Sequence, residues 1–243
     1  MPPTLPQTIV RRYRVKENYS IAEGSFALVL EAVETINALT PFQAGQWVYL
    51  HLFNPDGSQW ARAAYSIAST PHNGTQIIEL GIKVEGDFTK RALALRAGDE
   101  VGVSGPWGVF TLKQDRPRVA MFAGGIGVTP LFCMAHEACA MEVPLDITFF
   151  YSFRTPEGAA YLEDLKMLAK KNPRLRFVPL CTGVSPDWTG ERGRITADII
   201  ARELPDGADD YLLCGSNGFM DGVRAFLDAR AVDPKRIRKE SFG

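Results

Sequence analysis

The sequence predicts an N-terminal antiparallel β-barrel followed by an α/β domain with a doubly wound parallel sheet. Before residue 116, short segments rich in β-branched and aromatic residues are separated by glycine and proline turns, which is typical of an antiparallel barrel or sandwich. After residue 116, apolar segments alternate with helical patterns, which is typical of a parallel sheet with helices on both faces. The joint predicted at Asp115-Arg116-Pro117 gives two domains, 1–115 and 116–243.

The first half contains five predicted strands, which share β-branched and aromatic residues: 9–16, 25–33, 46–53, 61–68 and 75–83. Turns are supplied by Asn54-Pro55-Asp56-Gly57 and by His72-Asn73-Gly74. One helix is predicted from Asp87 to about Leu95, where the strand pattern is interrupted. The segment 105–110 contains glycine, proline and two aromatic residues, and is predicted as a tight turn that closes this half.

The second half contains five predicted strands, which share short apolar runs: 119–123, 145–151, 175–181, 211–214 and 236–242. Four predicted helices lie between them: 131–141, 158–171, 195–203 and 219–229. This alternation requires crossover connections and therefore favours a parallel sheet.

Composition narrows the class of protein. The 243 residues carry a formal net charge of -1, and this argues against a broad nucleic-acid surface, which needs a basic excess. No apolar run is long enough to cross a membrane and no signal-peptide pattern begins the chain, so we expect a cytoplasmic monomer. The four cysteines show no C-x-x-C spacing, so no zinc or iron–sulfur site is predicted.

The most informative segment is residues 119–130, VAMFAGGIGVTP. It combines a buried strand, a turn with Gly124, Gly125 and Gly127, and a helix start with Pro130 in its first turn. Free amides and the helix dipole at such a place favour an anion, so the segment predicts a phosphate site. An ordinary strand–turn–helix connection would look similar, and the prediction therefore depends on other motifs.

Three further segments supply that support. Gly86-Asp87-Phe88-Thr89 begins the helix of the first half and resembles a second phosphate cradle. Tyr65-Ser66 ends a strand, where a tyrosine can stack on an aromatic ring. Cys214-Gly215 repeats the strand–glycine–helix pattern at a later strand. Each segment alone could be an ordinary turn or strand end, but two cradles in one chain suggest two nucleotides that meet between the domains.

In this order the motifs resemble those of the ferredoxin–NADP reductase superfamily of flavin-dependent oxidoreductases, from about residue 8 to the end of the chain. The family's Arg-x-Tyr-Ser motif resembles the segment ending at Tyr65-Ser66, and its Gly-x-x-Ser/Thr motif matches Gly86 to Thr89. Its Gly-Gly-x-Gly-x-Thr/Ser-Pro motif matches Gly124 to Pro130, and its Cys-Gly segment matches Cys214-Gly215. The resemblance implies a flavin domain followed by an NAD(P)-binding domain, with FAD and NAD(P)H as cofactors.

The resemblance also implies roles for individual residues. Tyr65 would lie against the isoalloxazine ring, Ser66 would bond it, and Thr129 and Cys214 would flank the nicotinamide. Phe242 would cover the other flavin face, with Glu240 nearby. The other predicted cofactor-binding residues are Arg62, Ile82, Lys83, Val84, Gly86, Asp87, Phe88, Thr89, Gly125, Gly127, Pro130, Arg154 and Arg194.

One position departs from the family pattern. The family arginine stands two residues before the tyrosine, where this chain has Ala63, and Arg62 stands three before. Side chains alternate along a strand, so Arg62 is predicted to point to the opposite face unless a bulge redirects it. FAD remains the expected flavin because Gly86 to Thr89 is intact, and FMN is the alternative. Cys181-Thr182-Gly183 replaces the Ser-Arg pair of many NADPH-specific relatives, so mixed or NADH-leaning use is predicted.

The implied reaction is hydride transfer from the nicotinamide to the flavin, followed by electron delivery to a separate acceptor. The expected partner is a small redox carrier, ferredoxin or flavodoxin, or an oxygenase component. Two alternatives remain: an electron-transfer subunit active only within a larger complex, and a non-catalytic nucleotide-binding module that has lost its flavin.

Overall fold

The computed structural model describes residues 9–113, 115–141 and 143–241, which form two six-stranded sheets. The first sheet uses strands between residues 11 and 107, here named the barrel half. The second uses strands between residues 118 and 241, here named the α/β half. In the described residues, no helix has both the length and the apolar character needed to span a membrane.

The barrel half is antiparallel throughout its paired strands, in the order β4-β3-β6-β1-β2-β5. Its elements are β1 (Arg11–Ala22), β2 (Ser25–Ala32), β3 (Trp47–Phe53), β4 (Gln59–Ser66), β5 (Ile77–Lys83), α1 (Asp87–Leu93) and β6 (Glu100–Trp107). Alternate residues such as Val48, Leu50 and Leu52 fill its interior. A bridge between Ile67 and Leu80 joins the end of β4 to β5, so the two outer strands of the sheet meet.

Strand β6 was missed by the sequence analysis, which predicted only a turn over 105–110. Gly102, Gly105 and Pro106 are typical of turns, and they masked the buried pair Val101 and Val103. Gly102 serves the strand because its missing side chain leaves room for neighbours: a Cβ there would lie 2.6 Å from the Val10 side chain.

The α/β half is a parallel sheet in the order β10-β9-β8-β7-β11-β12. Its elements are β7 (Arg118–Gly124), α2 (Val128–Ala140), β8 (Asp146–Phe153), α3 (Leu162–Lys171), β9 (Leu175–Cys181), β10 (Glu191–Arg192), α4 (Ala197–Glu203), β11 (Asp210–Gly215), α5 (Asn217–Ala229) and β12 (Ile237–Ser241). Met121 of β7 packs in the cluster with α2 and α3, and Phe122 packs in the cluster with α4 and α5. The predicted doubly wound fold is therefore confirmed.

Two helix starts differ from the prediction by more than two residues. Helix α2 begins at Val128 rather than near 131, because Gly125–Gly127 form a 3₁₀ turn that leads directly into it. Helix α3 begins at Leu162 rather than near 158, because Tyr161 before it has φ 57° and adopts the left-handed conformation. The short strand β10 was not predicted.

Candidate active site

A cleft of about 1130 Å³ runs along the carboxyl ends of β7, β8, β9 and β11. Strand β7 has β8 on one side and β11 on the other, so the order of the strands reverses at this point. Open α/β sheets bind ligands in such a crevice. Residues Gly24, Lys83 and Glu85 of the barrel half also line the cleft, which therefore lies between the two halves.

The glycine turn after β7 forms part of the cleft wall. Gly125 has φ +54°, and a Cβ at this position would have open space within 4 Å, so the turn leaves a bare cradle. A Cβ on Gly127 would lie 2.5 Å from the carbonyl oxygen of Cys214, so only glycine lets this turn approach β11. Pro130 is buried in the first turn of α2, as the sequence predicted.

Thr129 lies at the start of α2, facing the barrel half. Its hydroxyl donates to the carbonyl oxygen of Ile126 at 2.9 Å, and the residue is buried. A Cβ on Gly81 of β5 would lie 3.1 Å from Thr129 Oγ1, so α2 touches the bare backbone of β5. Leu80, the neighbour of Gly81, bridges to Ile67, which follows Ser66. The Tyr65-Ser66 motif and the glycine turn after β7 are thus joined through two adjacent residues of β5, Leu80 and Gly81.

Cys214 and Glu240 are paired across β11 and β12. Burial and the neighbouring Glu240 raise the pKa of the Cys214 thiol well above its usual value, so the thiol is neutral. Burial also raises the pKa of Glu240 to about 7. Its Oε2 atom is buried without a hydrogen-bond partner in the described part of the chain.

The end of β4 carries the two residues predicted to contact a flavin. Tyr65 stacks on Phe88 of α1 with 6.1 Å between ring centroids, and burial raises its pKa to about 12. Ser66 is buried, and its Oγ has no hydrogen-bond partner among the residues that the structure describes. A buried, unpaired hydroxyl is costly unless a ligand completes its hydrogen bonding.

The second predicted cradle, Gly86 to Thr89, is closed by its own threonine. The Thr89 hydroxyl accepts from the amides of Glu85 and Gly86 at 2.8 and 3.1 Å, so it holds the turn rather than facing outward. The residues in and after β5 that were predicted to bind the cofactor differ in exposure. Ile82 is buried, Val84 is partly buried, and Lys83 and Asp87 are exposed.

Arg62 lies on the face of β4 opposite Tyr65. Its guanidinium stands 4.4 Å over the ring of Tyr49, whereas Tyr65 pairs with Val48 and packs against the barrel core. Arg62 and Tyr65 are therefore kept apart in the structure. This separation is what alternation along the strand predicted.

A different arginine, missed by the sequence analysis, is connected to Tyr65 through two stacked aromatic rings. Arg91 of α1 covers the Trp60 ring at 4.6 Å, and its Nη2 donates to the carbonyl oxygen of Phe53 at 2.6 Å. Trp60 stacks on Phe88, and Phe88 stacks on Tyr65. The spacing of Phe88 and Arg91, three residues apart on one helix, is the signal that could have placed them on one side.

Arg154 and Arg194 both line the cleft and are exposed. Arg154 follows β8, and Arg194 precedes the N-cap of α4, Thr196. At the end of β9 the Thr182 hydroxyl donates to the carbonyl oxygen of Phe153 at 2.9 Å, so it supports the loop. Phe242, the last predicted site residue, lies outside the described residues.

These residues fit two bound nucleotides. Buried unpaired oxygens at Ser66 and Glu240 offer hydrogen bonds, and the bare turn at Gly125 offers room for a phosphate. The cleft between the halves has space for one nucleotide, and the aromatic group around Tyr65 suits a flat ring.

Comparison with known proteins agrees with this arrangement. A family described as "Oxidoreductase NAD-binding domain" matches residues 121–225. A ferredoxin–NADP reductase B of Sorangium cellulosum is 33% identical over 204 residues, which cover 80% of this chain and 82% of that protein. A flavohemoprotein of Deinococcus radiodurans is 28% identical over 241 residues, which cover 96% of this chain and 59% of that protein.

Among solved structures, the FAD/NAD-binding domain of a nitric oxide dioxygenase from Vibrio cholerae superposes with a TM-score of 0.84 at 22% identity, covering 96% of this chain and 98% of that one. Three further relatives are the reductase component of a propane 2-monooxygenase, the reductase subunit of a glycine betaine monooxygenase and the reductase subunit of an aromatic O-demethylase, and the chain spans 56% to 61% of their length. The motifs, the two-sheet architecture and the 33% identical reductase agree, and the chain belongs to the ferredoxin–NADP reductase superfamily, the NAD(P)H-dependent flavoprotein oxidoreductases that bind FAD.

Proposed function

We propose that this protein takes electrons from NAD(P)H through FAD and delivers them to a separate acceptor protein. One observation carries the proposal: Thr129 of the nucleotide turn touches Gly81, whose neighbour bridges to the residue after Ser66. The two motifs, one in each half, therefore lie at one seam, where two ring systems can be held in contact. We also propose that the two halves are domains that divide at residues 115 and 116.

On the barrel side, the chain's task is to hold and orient the flavin. Tyr65 offers an aromatic face, and the unpaired Ser66 hydroxyl offers a hydrogen bond. Ile82, Lys83 and Val84 line the phosphate side of the flavin, and the turn from Gly86 to Thr89, including Asp87 and Phe88, offers main-chain amides to the diphosphate while the Thr89 hydroxyl holds the turn. Arg91 supplies the positive charge that the family places on the strand, because Arg62 faces Tyr49.

On the α/β side, Gly125 and Gly127, with Pro130 after them, hold the diphosphate of the nicotinamide nucleotide. Thr129 and Cys214 flank its ring, and Glu240 lies behind Cys214. Bound FAD would supply the redox chemistry, namely the capacity to take up a hydride and to pass electrons on to the acceptor. Arg154 and Arg194 stand where a 2′-phosphate would lie, but the end of β9 offers no third cation, so we propose mixed or NADH-leaning use.

The proposed acceptor is a small redox carrier, ferredoxin or flavodoxin, or an oxygenase component, and the proposed reductase is a monomer. The names of the relatives support the choice of acceptor, since they include a ferredoxin–NADP reductase and the reductase components or subunits of two monooxygenases and an aromatic O-demethylase.

An anaerobic absorbance spectrum tests the proposal. The purified protein, reconstituted with FAD, should be yellow, and NADH or NADPH should bleach its flavin bands. Addition of an oxidised [2Fe–2S] ferredoxin or flavodoxin should restore the colour. A protein that takes up no FAD would support the non-catalytic module instead. A protein that is bleached only when mixed with other components would support an obligate subunit.

A further inference from the structure

Glu79 of β5 is held by two tyrosines, one from each half of the molecule. Its Oε1 accepts from the Tyr161 hydroxyl at 2.8 Å, and its Oε2 accepts from the Tyr19 hydroxyl at 3.1 Å. Tyr19 lies in β1 of the barrel half, whereas Tyr161 lies just before α3 of the α/β half. One carboxylate oxygen is thus bound within the barrel, and the other is bound across the seam.

Tyr161 is fixed firmly to the α/β half. It is buried and has φ 57°, a conformation that bulky residues rarely adopt unless the surroundings impose it. Its ring stacks on Phe132 with 4.4 Å between centroids and 9° between planes. Phe132 lies in α2, three residues after Thr129, so both project from neighbouring positions on one helix. A displacement of Tyr161 would therefore be transmitted to Thr129.

The hydroxyls of Tyr161 and Thr129 both lie close to Gly81, which stands two residues after Glu79 on the same strand. A Cβ on Gly81 would lie 2.8 Å from the Tyr161 hydroxyl oxygen and 3.1 Å from Thr129 Oγ1. Alternation places Glu79 and Gly81 on one face of β5, so this face is the surface on which α2 rests. The hydrogen bond to Glu79 thus lies beside the point where Thr129 meets the barrel half.

This bond differs from others that cross the seam. Three others each involve at least one main-chain atom: Glu23 N donates to Glu157 O, His72 N donates to Glu137 Oε2, and Cys133 Sγ donates to Ser69 O. The Tyr161–Glu79 bond joins two side chains. Burial, together with Glu79, raises the pKa of Tyr161 well above its usual value, so its hydroxyl keeps the proton that it donates.

We propose that Tyr161 and Glu79 form a clasp across the seam that sets the distance between Thr129 and β5, and that Tyr161 is a positioning residue for flavin reduction. The inference rests on the proposed function, because it takes Thr129 to lie beside the nicotinamide. Removing the clasp leaves each half intact but lets α2 move relative to β5. Small displacements of this kind slow a reaction that depends on ring contact.

Tyr161→Phe tests the clasp, and Tyr19→Phe is the matched control. Each change removes one hydroxyl from the same carboxylate, but only Tyr161 crosses the seam. In FAD-loaded protein, stopped-flow reduction by NADH should slow about tenfold for Tyr161→Phe and change by less than about twofold for Tyr19→Phe. Glu79→Leu should reproduce the Tyr161→Phe defect, and Glu79→Gln, which keeps an acceptor oxygen, should restore most of the rate.

A second readout does not need the flavin. Amide hydrogen exchange in 126–131 should be faster in Tyr161→Phe than in the unaltered protein, and unchanged in Tyr19→Phe. Equal effects of the two tyrosine variants, or no effect of Tyr161→Phe on either readout, would overturn the clasp. Failure of the proposed function looks different, since the unaltered protein would then take up no FAD or remain oxidised by NAD(P)H.

Discussion

On the Tyr65 side of β4, positive charge comes from a helix rather than from the strand. Arg91 reaches this side through Trp60 and Phe88, while Arg62 stacks on Tyr49 on the other face. Ala63, at the position of the family arginine, projects no long side chain. The flavin diphosphate would then be approached from α1, the same element that begins with Gly86 to Thr89.

Replacing either Arg91 or Arg62 with alanine tests which of the two arginines supports FAD binding. Arg91→Ala should weaken FAD binding by about tenfold or more, since a charged hydrogen-bond donor contributes about 1.5–3 kcal/mol. Arg62→Ala should change the FAD dissociation constant by less than about twofold. Titration of the FAD-free protein, followed by quenching of flavin fluorescence, measures both. Arg91→Lys keeps the charge and should lose less than Arg91→Ala; a larger loss in Arg62→Ala would contradict the assignment.

Glu240 makes the stability of the protein depend on pH. Burial raises its pKa from 4.5 to about 7, so the folded chain holds the proton that the unfolded chain releases between these values. Ionisation of Glu240 therefore leaves the free energy of unfolding unchanged below about pH 4.5. As the pH rises from 4.5 towards 7, the free energy of unfolding falls, and the loss is complete above about pH 7. Glu240→Gln should raise the free energy of unfolding by roughly 1–2 kcal/mol at pH 8, with partial exposure limiting the effect, and change it little at pH 4.5.

Urea unfolding at the two pH values measures this difference. The control is Glu163→Gln, because the side chain of Glu163 is 75% exposed. It should show the same small effect at both pH values. A Glu240→Gln variant that is no more stable at pH 8 than at pH 4.5, relative to the unaltered chain, would show that Glu240 ionises normally.

Among the secondary-structure elements, those with strong hydrophobic periodicity were predicted correctly, whereas features that depend on single residues with distant contacts were not. The apolar run of β7 and the alternation after it predicted the parallel sheet, because buried strands and covering helices need those patterns. Strand β6 was missed, since Gly102 and Gly105 are required by neighbours distant in sequence. Helix α3 starts late because Tyr161 has a left-handed φ. The contacts of Tyr161 with Glu79 and Phe132 accompany this conformation, and no local sequence pattern signals it.

The approach of α2 to β11 depends on Gly127. In Gly127→Ala, the new Cβ would lie 2.5 Å from the main-chain oxygen of Cys214, so the turn must shift, at a cost of about 1–3 kcal/mol in folding free energy. Gly222→Ala in α5 is the matched control, because a Cβ there has nothing within 4 Å. It should stabilise the protein by about 0.5–1 kcal/mol. Chemical denaturation measures both, and equal effects would remove the special role of Gly127.

For the whole molecule, sequence patterns predicted a nucleotide motif in each half but not the contacts through which the halves meet. Tyr65, Ser66, Gly125 and Thr129 belong to contiguous motifs and were found by pattern. Glu79 and Tyr161 lie 82 positions apart, so their hydrogen bond had no sequence signature. Arg91 was missed for a related reason, since its contacts with Trp60 and Phe53 join α1 to strands that are distant in the sequence.

Coenzyme choice belongs to the cleft between the halves. We expect kcat/KM for NADH to equal that for NADPH or to exceed it by up to about tenfold, because Arg154 and Arg194 are exposed and the end of β9 carries no cation. Arg154→Ala should lower kcat/KM for NADPH several-fold and leave that for NADH unchanged. Steady-state assays with an artificial acceptor measure the ratio, and a preference for NADPH above tenfold would contradict this prediction.

The seam at β5 also bears on aggregation. Strands β4 and β5 are the outer strands of the first sheet and meet through one isolated bridge, so much of the hydrogen-bonding edge between them is not satisfied by a regular ladder. Open sheet edges invite pairing with other chains. Here the residues that follow β4 close part of that edge: Ala68 N donates to the Glu79 carbonyl oxygen at 2.8 Å, and Glu79 N donates to Ser69 Oγ at 3.0 Å. The strand whose face meets the α/β half is therefore also protected along its edge, which limits edge-to-edge association of the barrel half.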